Sequence, residues 1–371
     1  MKKLIYFLLI IASFSCFSKK TTSFKDNISI KNIDDDVYIR YLNLHKKNND
    51  ILITYSEEKT LSLKLADISN DNISLSYIDK INDEKEIDSN TGRHFYITGR
   101  DRDYVFFNDY KSEKKTVFKV LMRKNKTDKW MIFPQTIKPF DFFVFNYKGE
   151  ILIFYIEDSY KIAILKDFNF KELIKVDKIK DIENIRIIPD EKDDMINLFF
   201  VNEKNILYNY GFKIQLEQEN LTITEKYNTK ISDFVKMYDV ATSDNNIGIL
   251  YYDYKEYSLK FYQIKDHIAK TLKIGYFPDI HSLHLILLEK NPLFLYSSSL
   301  ITKDASDDKK FYLSAIYNQK EKWLEEELLI TESPMIVLNS YILDNKINIL
   351  AGGNSLNQIS IDEKVLNSTK N

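Results

Sequence analysis

The chain of 371 residues is poor in several things that proteins commonly lean on. It has one cysteine, so no internal disulfide can brace it, and the fold must be held by burial alone. Glycine occurs 8 times and proline 6 times, and no glycine-rich phosphate loop, Gly-x-Ser-x-Gly elbow or His-Glu-x-x-His helix is present. Neither sign of charge dominates: 53 basic residues face 55 acidic ones, interspersed along the chain, for a formal net charge of -2. With no basic stripe, nucleic acid is excluded as the expected partner. Paired His281 and His284 suggest a metal, but three residues apart in a strand they point to opposite faces, so no metal or other cofactor is expected. Hydrophobic residues nevertheless make up 44% of the chain and aromatics 14%, which suits an extensive β core and not a disordered chain.

The one apolar run near the start, Leu4 to Ala12, follows Lys2 and Lys3 and precedes small residues. That is the layout of a bacterial secretory signal peptide, and the run is too short for a membrane-spanning helix of about 20 residues. The single cysteine, Cys16, closes it. Ser13-Phe14-Ser15-Cys16 resembles a lipobox, with Ser13 and Phe14 in place of the usual Leu and small residue. The resemblance implies cleavage before Cys16, lipid on its sulfur, and anchoring through that lipid to the membrane; ordinary cleavage after Ser15 or a little later, leaving a free thiol, is the alternative. Residues 1–15 are then signal peptide, 16–26 lipidated cysteine and polar tether, and 27–371 one domain. The expected location is the outer membrane or cell surface, with a periplasm-facing orientation also open.

Within that domain one pattern recurs. Ile247 to Ile264 reads as two strands joined at Asp253-Tyr254-Lys255, and its first strand has counterparts beginning at Ile51, Tyr104, Ile151, Ile196, Leu293 and Ile347. The seven starts lie about 49 residues apart. Each copy is apolar at alternate positions and mostly apolar between them, as in a strand covered on both faces. A shorter strand and a polar turn come before each copy, and a third and usually a fourth strand follow. The turns use Asp and Asn where glycine is scarce, since both tolerate left-handed backbone.

Four antiparallel strands about every 49 residues resemble the β-propeller architecture. The expectation is an all-β, seven-bladed propeller of four-stranded antiparallel blades, monomeric, its ring closed by the N-terminal strand Ile28 to Lys31 completing the last blade. Repeated Gly-His with Trp-Asp and the sialidase box are missing, so no enzyme family is matched and no catalytic residue is carried over.

Two sets of residues are candidates for binding. An acid stands roughly 13 to 15 residues ahead of the central strand in five repeats, namely Asp36, Glu183, Asp233, Asp279 and Glu332, with Asn90 in the second repeat and Asp141 nearer in the third. These positions fall in the loops entering the first strands, near a propeller's channel mouth, where carboxylates suit a cation or a basic partner. Capping of turns is the simpler reading of each acid. Arg93, Arg100 and Arg102 gather half of the chain's arginines, and guanidinium forks match planar anions. Trp130 and Trp323 each follow a lysine at a fourth strand, where packing competes with sugar stacking. The function expected is a non-catalytic binding or scaffolding propeller for protein or glycan partners; the alternative is a glycan-active hydrolase with carboxylates at the channel mouth.

Overall fold

The computed structural model describes residues 28–35, 37–47, 50–57, 60–69, 72–80, 93–111, 115–134, 136–166, 169–176, 179, 182–217, 220–243, 246–264, 268–272, 279–288, 292–301, 309–319 and 322–363. Every element among them is a β-strand. Strand β1 (Ile28–Asp35) comes first. Then follow β2 (Ile39–Lys47), β3 (Asp50–Glu57), β4 (Ser62–Ser69) and β5 (Asn72–Lys80); β6 (His94–Thr98), β7 (Asp103–Lys111), β8 (Lys115–Arg123) and β9 (Met131–Ile132); and β10 (Asp141–Tyr147), β11 (Glu150–Ile156), β12 (Tyr160–Lys166) and β13 (Asn169–Val176). The fourth group is β14 (Ile182–Asp190), β15 (Met195–Asn202), β16 (Leu207–Glu217) and β17 (Asn220–Ser232), and the fifth is β18 (Val235–Ser243), β19 (Asn246–Asp253), β20 (Ser258–Gln263) and β21 (Ile268–Leu272). The last two are β22 (Asp279–Leu287), β23 (Pro292–Ile301), β24 (Lys309–Gln319) and β25 (Lys322–Thr331), then β26 (Ile336–Leu343), β27 (Lys346–Gly352) and β28 (Ser355–Asp362).

Each group forms one four-stranded antiparallel sheet in chain order, and β1 supplies the fourth strand of the last, in the order β1-β28-β27-β26. These are the seven blades of a β-propeller. The N-terminal strand pairs with β28 as the sequence suggests, from Ile28 opposite Ile361 to Asp35 opposite Ser355. The repeated apolar strand is the second of every blade.

The chain divides into two compact units. Residues 37–234 carry the first four blades; β1 and the residues from Val235 onward carry the other three. Within each unit the core is a series of layers between successive blades, which explains the double-sided apolarity. On β11, Ile151, Ile153 and Tyr155 face the second blade, while Leu152 and Phe154 face the fourth. On β23, Leu293 and Leu295 pack toward the seventh blade, and Phe294 and Tyr296 toward the fifth. A strand sandwiched this way has no polar face, so alternation appears as a change of neighbour and not of polarity.

The tight turns show how the chain manages with few glycines. Lys148 and Gly149 turn from β10 to β11 with φ of 49° and 83°, and Asp344 and Asn345 turn from β26 to β27 with φ of 51° and 59°. Both central residues left-handed is the hairpin geometry that matches strand twist, and short polar side chains bear it at modest cost.

Candidate functional site

In the four-blade unit the first strands begin side by side, and their starts assemble one cluster. Arg93 stands just before β6, Asp141 opens β10, and Tyr41 and Phe143 lie two residues into β2 and β10. The Arg93 guanidinium donates to both Asp141 oxygens, at 2.6 Å to Oδ2, and lies over the Tyr41 ring at 5.6 Å and the Phe143 ring at 5.0 Å. Its side chain is 19% exposed. Burial works against the charge, but the Asp141 carboxylate and Tyr41 more than offset it, so the Arg93 pKa lies above its ordinary value. The anion that this arginine was expected to recruit is thus supplied internally by Asp141, one blade away.

Around the cluster the same end carries exposed aromatics. Tyr38 and Phe140 each stand one residue ahead of β2 and β10, at 40% and 71% exposure, and Phe234 closes the unit's last connection at 37%. Phe234 has a φ of 60°, a left-handed conformation that a bulky residue adopts at a cost of order 1–3 kcal/mol. Each stands at the entrance to a first strand, the end of the blades where Arg93 meets Asp141 and Tyr41.

Arg100 and Arg102 do not join Arg93. They lie past the far end of β6, and that strand's five residues separate the two ends by about 16 Å. Arg100 pairs with Glu150, and Arg102 reaches Asp101 and the Met122 sulfur, each at 3.5 Å. Both line a cleft of about 340 Å³ between the second and third blades, with Lys166, Glu150 and Tyr104. Acids and bases alternate around it, so it presents no single sign of charge.

The predicted acids are dispersed in environment. Asp36 lies outside the described residues, as do Asn90, Cys16 and the side chain of Glu183. Glu183 and Asp279 belong to β14 and β22 themselves and not to the loops ahead of them, while Asp233 and Glu332 are in bends. Asp233 pairs with Lys230 at 2.7 Å, and the exposed Asp279 is 3.9 Å from His281. Among the described residues no group of three or more His, Cys, Asp or Glu could hold a metal ion.

A different recurrence of acids went unseen in the sequence. Read six residues forward from a repeat start, Glu57 and Asp253 close the second strand and Glu157 stands just past it, with Asp109 one place earlier in the second repeat. Each meets a lysine of the third strand: Glu57 with Lys64 at 3.1 Å, Asp109 with Lys119 at 2.7 Å, Glu157 with Lys161 at 3.2 Å and Asp253 with Lys260 at 2.8 Å. Asp253 also accepts the amides of Lys255 and Glu256, both at 3.0 Å, so the turn-capping reading applies here. Desolvation opposes ionisation of Asp253, yet Lys260 and these amides prevail and hold its pKa below the ordinary carboxyl value.

The tryptophans are packed. Trp130 lies beneath Arg123 at 4.4 Å, and Trp323 stacks on Phe294 at 5.0 Å. In the three-blade unit, His284 does not share a ligand with His281; it bonds to Asp239 on one side and to Ser340 on the other.

The fold is shared with known proteins, while the sequence is not. YCF48 from Cyanidioschyzon merolae superposes with a TM-score of 0.54 at 9% identity, over 91% of this chain and 99% of that one. The WD40 domain of SCAP from fission yeast gives 0.47 at 7% identity over 91% and 98%, and an alpha-L-arabinanase of Penicillium chrysogenum gives 0.42 at 9% over 91% and 99%. At these identities the likeness is one of fold alone. No protein-family model and no curated protein matches the chain.

Proposed function

We propose that this is an exported, lipid-anchored propeller that binds or scaffolds a protein or glycan partner on the loop end of its four-blade unit. The observation that carries the reading is the set of exposed aromatics at that end, Tyr38, Phe140 and Phe234, beside the Arg93 cluster. Aromatic faces bury large area at low entropic cost and suit both sugar rings and protein hot spots. Loops carried on a rigid β scaffold are the ordinary place for such contacts. The anchor rests on the N-terminal sequence, where an unpaired Cys16 ends a secretory signal.

The test has two arms. Residues 20–371 are screened on a glycan panel for binding and for reducing-end release, and the full chain is cross-linked in its native envelope. Tyr38→Ala and Phe140→Ala should each weaken the partner found by tenfold or so, about 1.4 kcal/mol. Binding unaffected by both substitutions overturns the assignment of the surface, and glycan turnover replaces the reading by the hydrolase. Radiolabelled palmitate should enter the wild type and not Cys16→Ser; equal labelling refutes the anchor.

A further inference from the structure

The first strands of the three-blade unit are free sheet edges, and β18, β22 and β26 place three polar side chains in line across them. Asp239 Oδ2 lies 2.8 Å from His284 Nδ1, and His284 Nε2 lies 2.7 Å from Ser340 Oγ. The carboxylate is fixed in turn by the Leu285 amide, which donates to Oδ2 at 3.0 Å. The Asp239 and His284 side chains are 11% and 16% exposed, and Ser340 is half-buried, so the hydroxyl end is the wetter one.

The order of the groups decides the proton positions. A carboxylate at Nδ1 requires the proton there, because an unprotonated Nδ1 would set a lone pair against Oδ2. Neutral imidazole then carries no proton on Nε2, and Ser340 Oγ–H donates to it. This is the arrangement in which a hydroxyl becomes a nucleophile: a base within hydrogen-bond reach and a third group that orients the base and stabilises its cation. A donor for a developing oxyanion is available in the Ser340 amide, which donates to Asn339 Oδ1 at 2.8 Å, an acceptor that a substrate oxygen can displace.

We propose that Ser340, His284 and Asp239 form a nucleophilic site for acyl transfer from esters, with Ser340 as nucleophile, His284 as general base and Asp239 as the positioning residue. In the first step Ser340 Oγ bonds to the carbonyl carbon of R–CO–OR′ and its proton passes to Nε2. Collapse of the adduct expels HOR′ carrying that proton. Water then attacks the acyl-serine by the same route, releasing R–COOH and restoring the hydroxyl. A single oxyanion donor favours esters over amides, whose leaving groups need more assistance. This activity goes beyond the binding reading and does not depend on it.

Diisopropyl fluorophosphate provides the probe, since a serine so activated displaces fluoride and retains the diisopropylphosphoryl group. Intact and peptide mass spectrometry of the folded chain should find one label, on Ser340, and Ser340→Ala should abolish it and p-nitrophenyl acetate hydrolysis together. His284→Gln and Asp239→Asn should slow labelling at least tenfold, with thermal melting followed on the same samples. Histidine nitrogen NMR should show the Nδ1–H tautomer of His284 in the wild type and its loss in Asp239→Asn. No label on Ser340 of the folded wild type overturns the proposal. Labelling that is equally fast in the folded His284→Gln protein does so too, because Ser340 would then be merely exposed. If His284→Gln does not fold, the wild type and Ser340→Ala, which removes one oxygen, decide the matter alone.

Discussion

If the Arg93 cluster bolts three blades together, removing the guanidinium should cost a definite amount. The doubly accepted, charge-assisted bond to Asp141 is worth about 1.5–3 kcal/mol, and the two ring contacts about 0.5–1 kcal/mol each at a partly exposed site. Freeing the arginine returns up to about 2 kcal/mol of side-chain entropy. Arg93→Ala should therefore lose about 1–3 kcal/mol, and Arg93→Lys, which keeps the charge without the fork or the stacking, about half of that. Urea unfolding of the wild type, Arg93→Ala, Asp141→Ala and the double variant measures it. The double variant should be less destabilised than the two single losses added together by at least 1 kcal/mol, because one interaction cannot be lost twice. Most of the coupling should survive molar salt, since the pair is partly buried. Strict additivity, or a loss in Arg93→Ala below about 0.5 kcal/mol, refutes the bolt and leaves Arg93 free to serve an external anion.

Three other outcomes follow from the geometry. Gly211 pairs with Tyr227 across β16 and β17, and a Cβ there would stand 2.3 Å from the ring's Cζ; Gly211→Ala should cost about 1–3 kcal/mol by denaturant midpoint, with much of it recovered in a Gly211→Ala/Tyr227→Ala chain. The depressed Asp253 carboxyl contributes stability that is present above its unfolded pKa, about 3.9, and lost as pH falls through the lower folded value; the stability gap between wild type and Asp253→Asn should hold from about pH 5 to 8 and close below about pH 4. Deleting residues 1–35 removes the buried Ile33, worth about 1.5–3 kcal/mol, and leaves β28 an open edge, so melting should fall and light scattering rise on heating; an unchanged melting temperature would show that β1 is dispensable.

Much of the fold was legible because it depends on properties local to each repeat. Ile151 to Tyr155 declares a strand covered on both sides, Asp344-Asn345 declares a left-handed turn, and Ile28 to Lys31 is a strand that nothing nearby could pair. The candidate sites were less legible, because strand alternation gives a residue's face and not what the next blade presents to it. Arg93 and Asp141 are 48 residues apart, and His284 and Ser340 are 56 apart. Those separations are close to the repeat length itself. Polar residues one repeat apart at matching depth in first strands were the available signal, and looking for clusters within a segment, as with Arg93, Arg100 and Arg102, was bound to miss it: five residues of strand carry a chain from one end of a blade to the other.

Why polar groups collect on the first strands follows from the edges. A first strand has a sheet partner on one side only, so amides on the other side need acceptors. Neighbouring blades supply them: Asp239 accepts from the Leu285 amide at 3.0 Å, and Ser282 from that of Val337 at 2.9 Å. Such bonding accounts for Asp239 without any chemistry, and that makes the sequence of groups, not their presence, the informative point. The four-blade unit contains the comparison. There His45 Nε2 meets Thr98 Oγ1 at 3.0 Å, but Thr98 gives its proton to Asp103 at 3.0 Å, so its oxygen accepts from the imidazole and no base waits for its proton. The same three kinds of side chain are present, with the hydroxyl in the middle. Placing the histidine between carboxylate and hydroxyl, as Asp239, His284 and Ser340 do, reverses the direction of donation, and only that order turns an edge-capping network into one that can activate its serine.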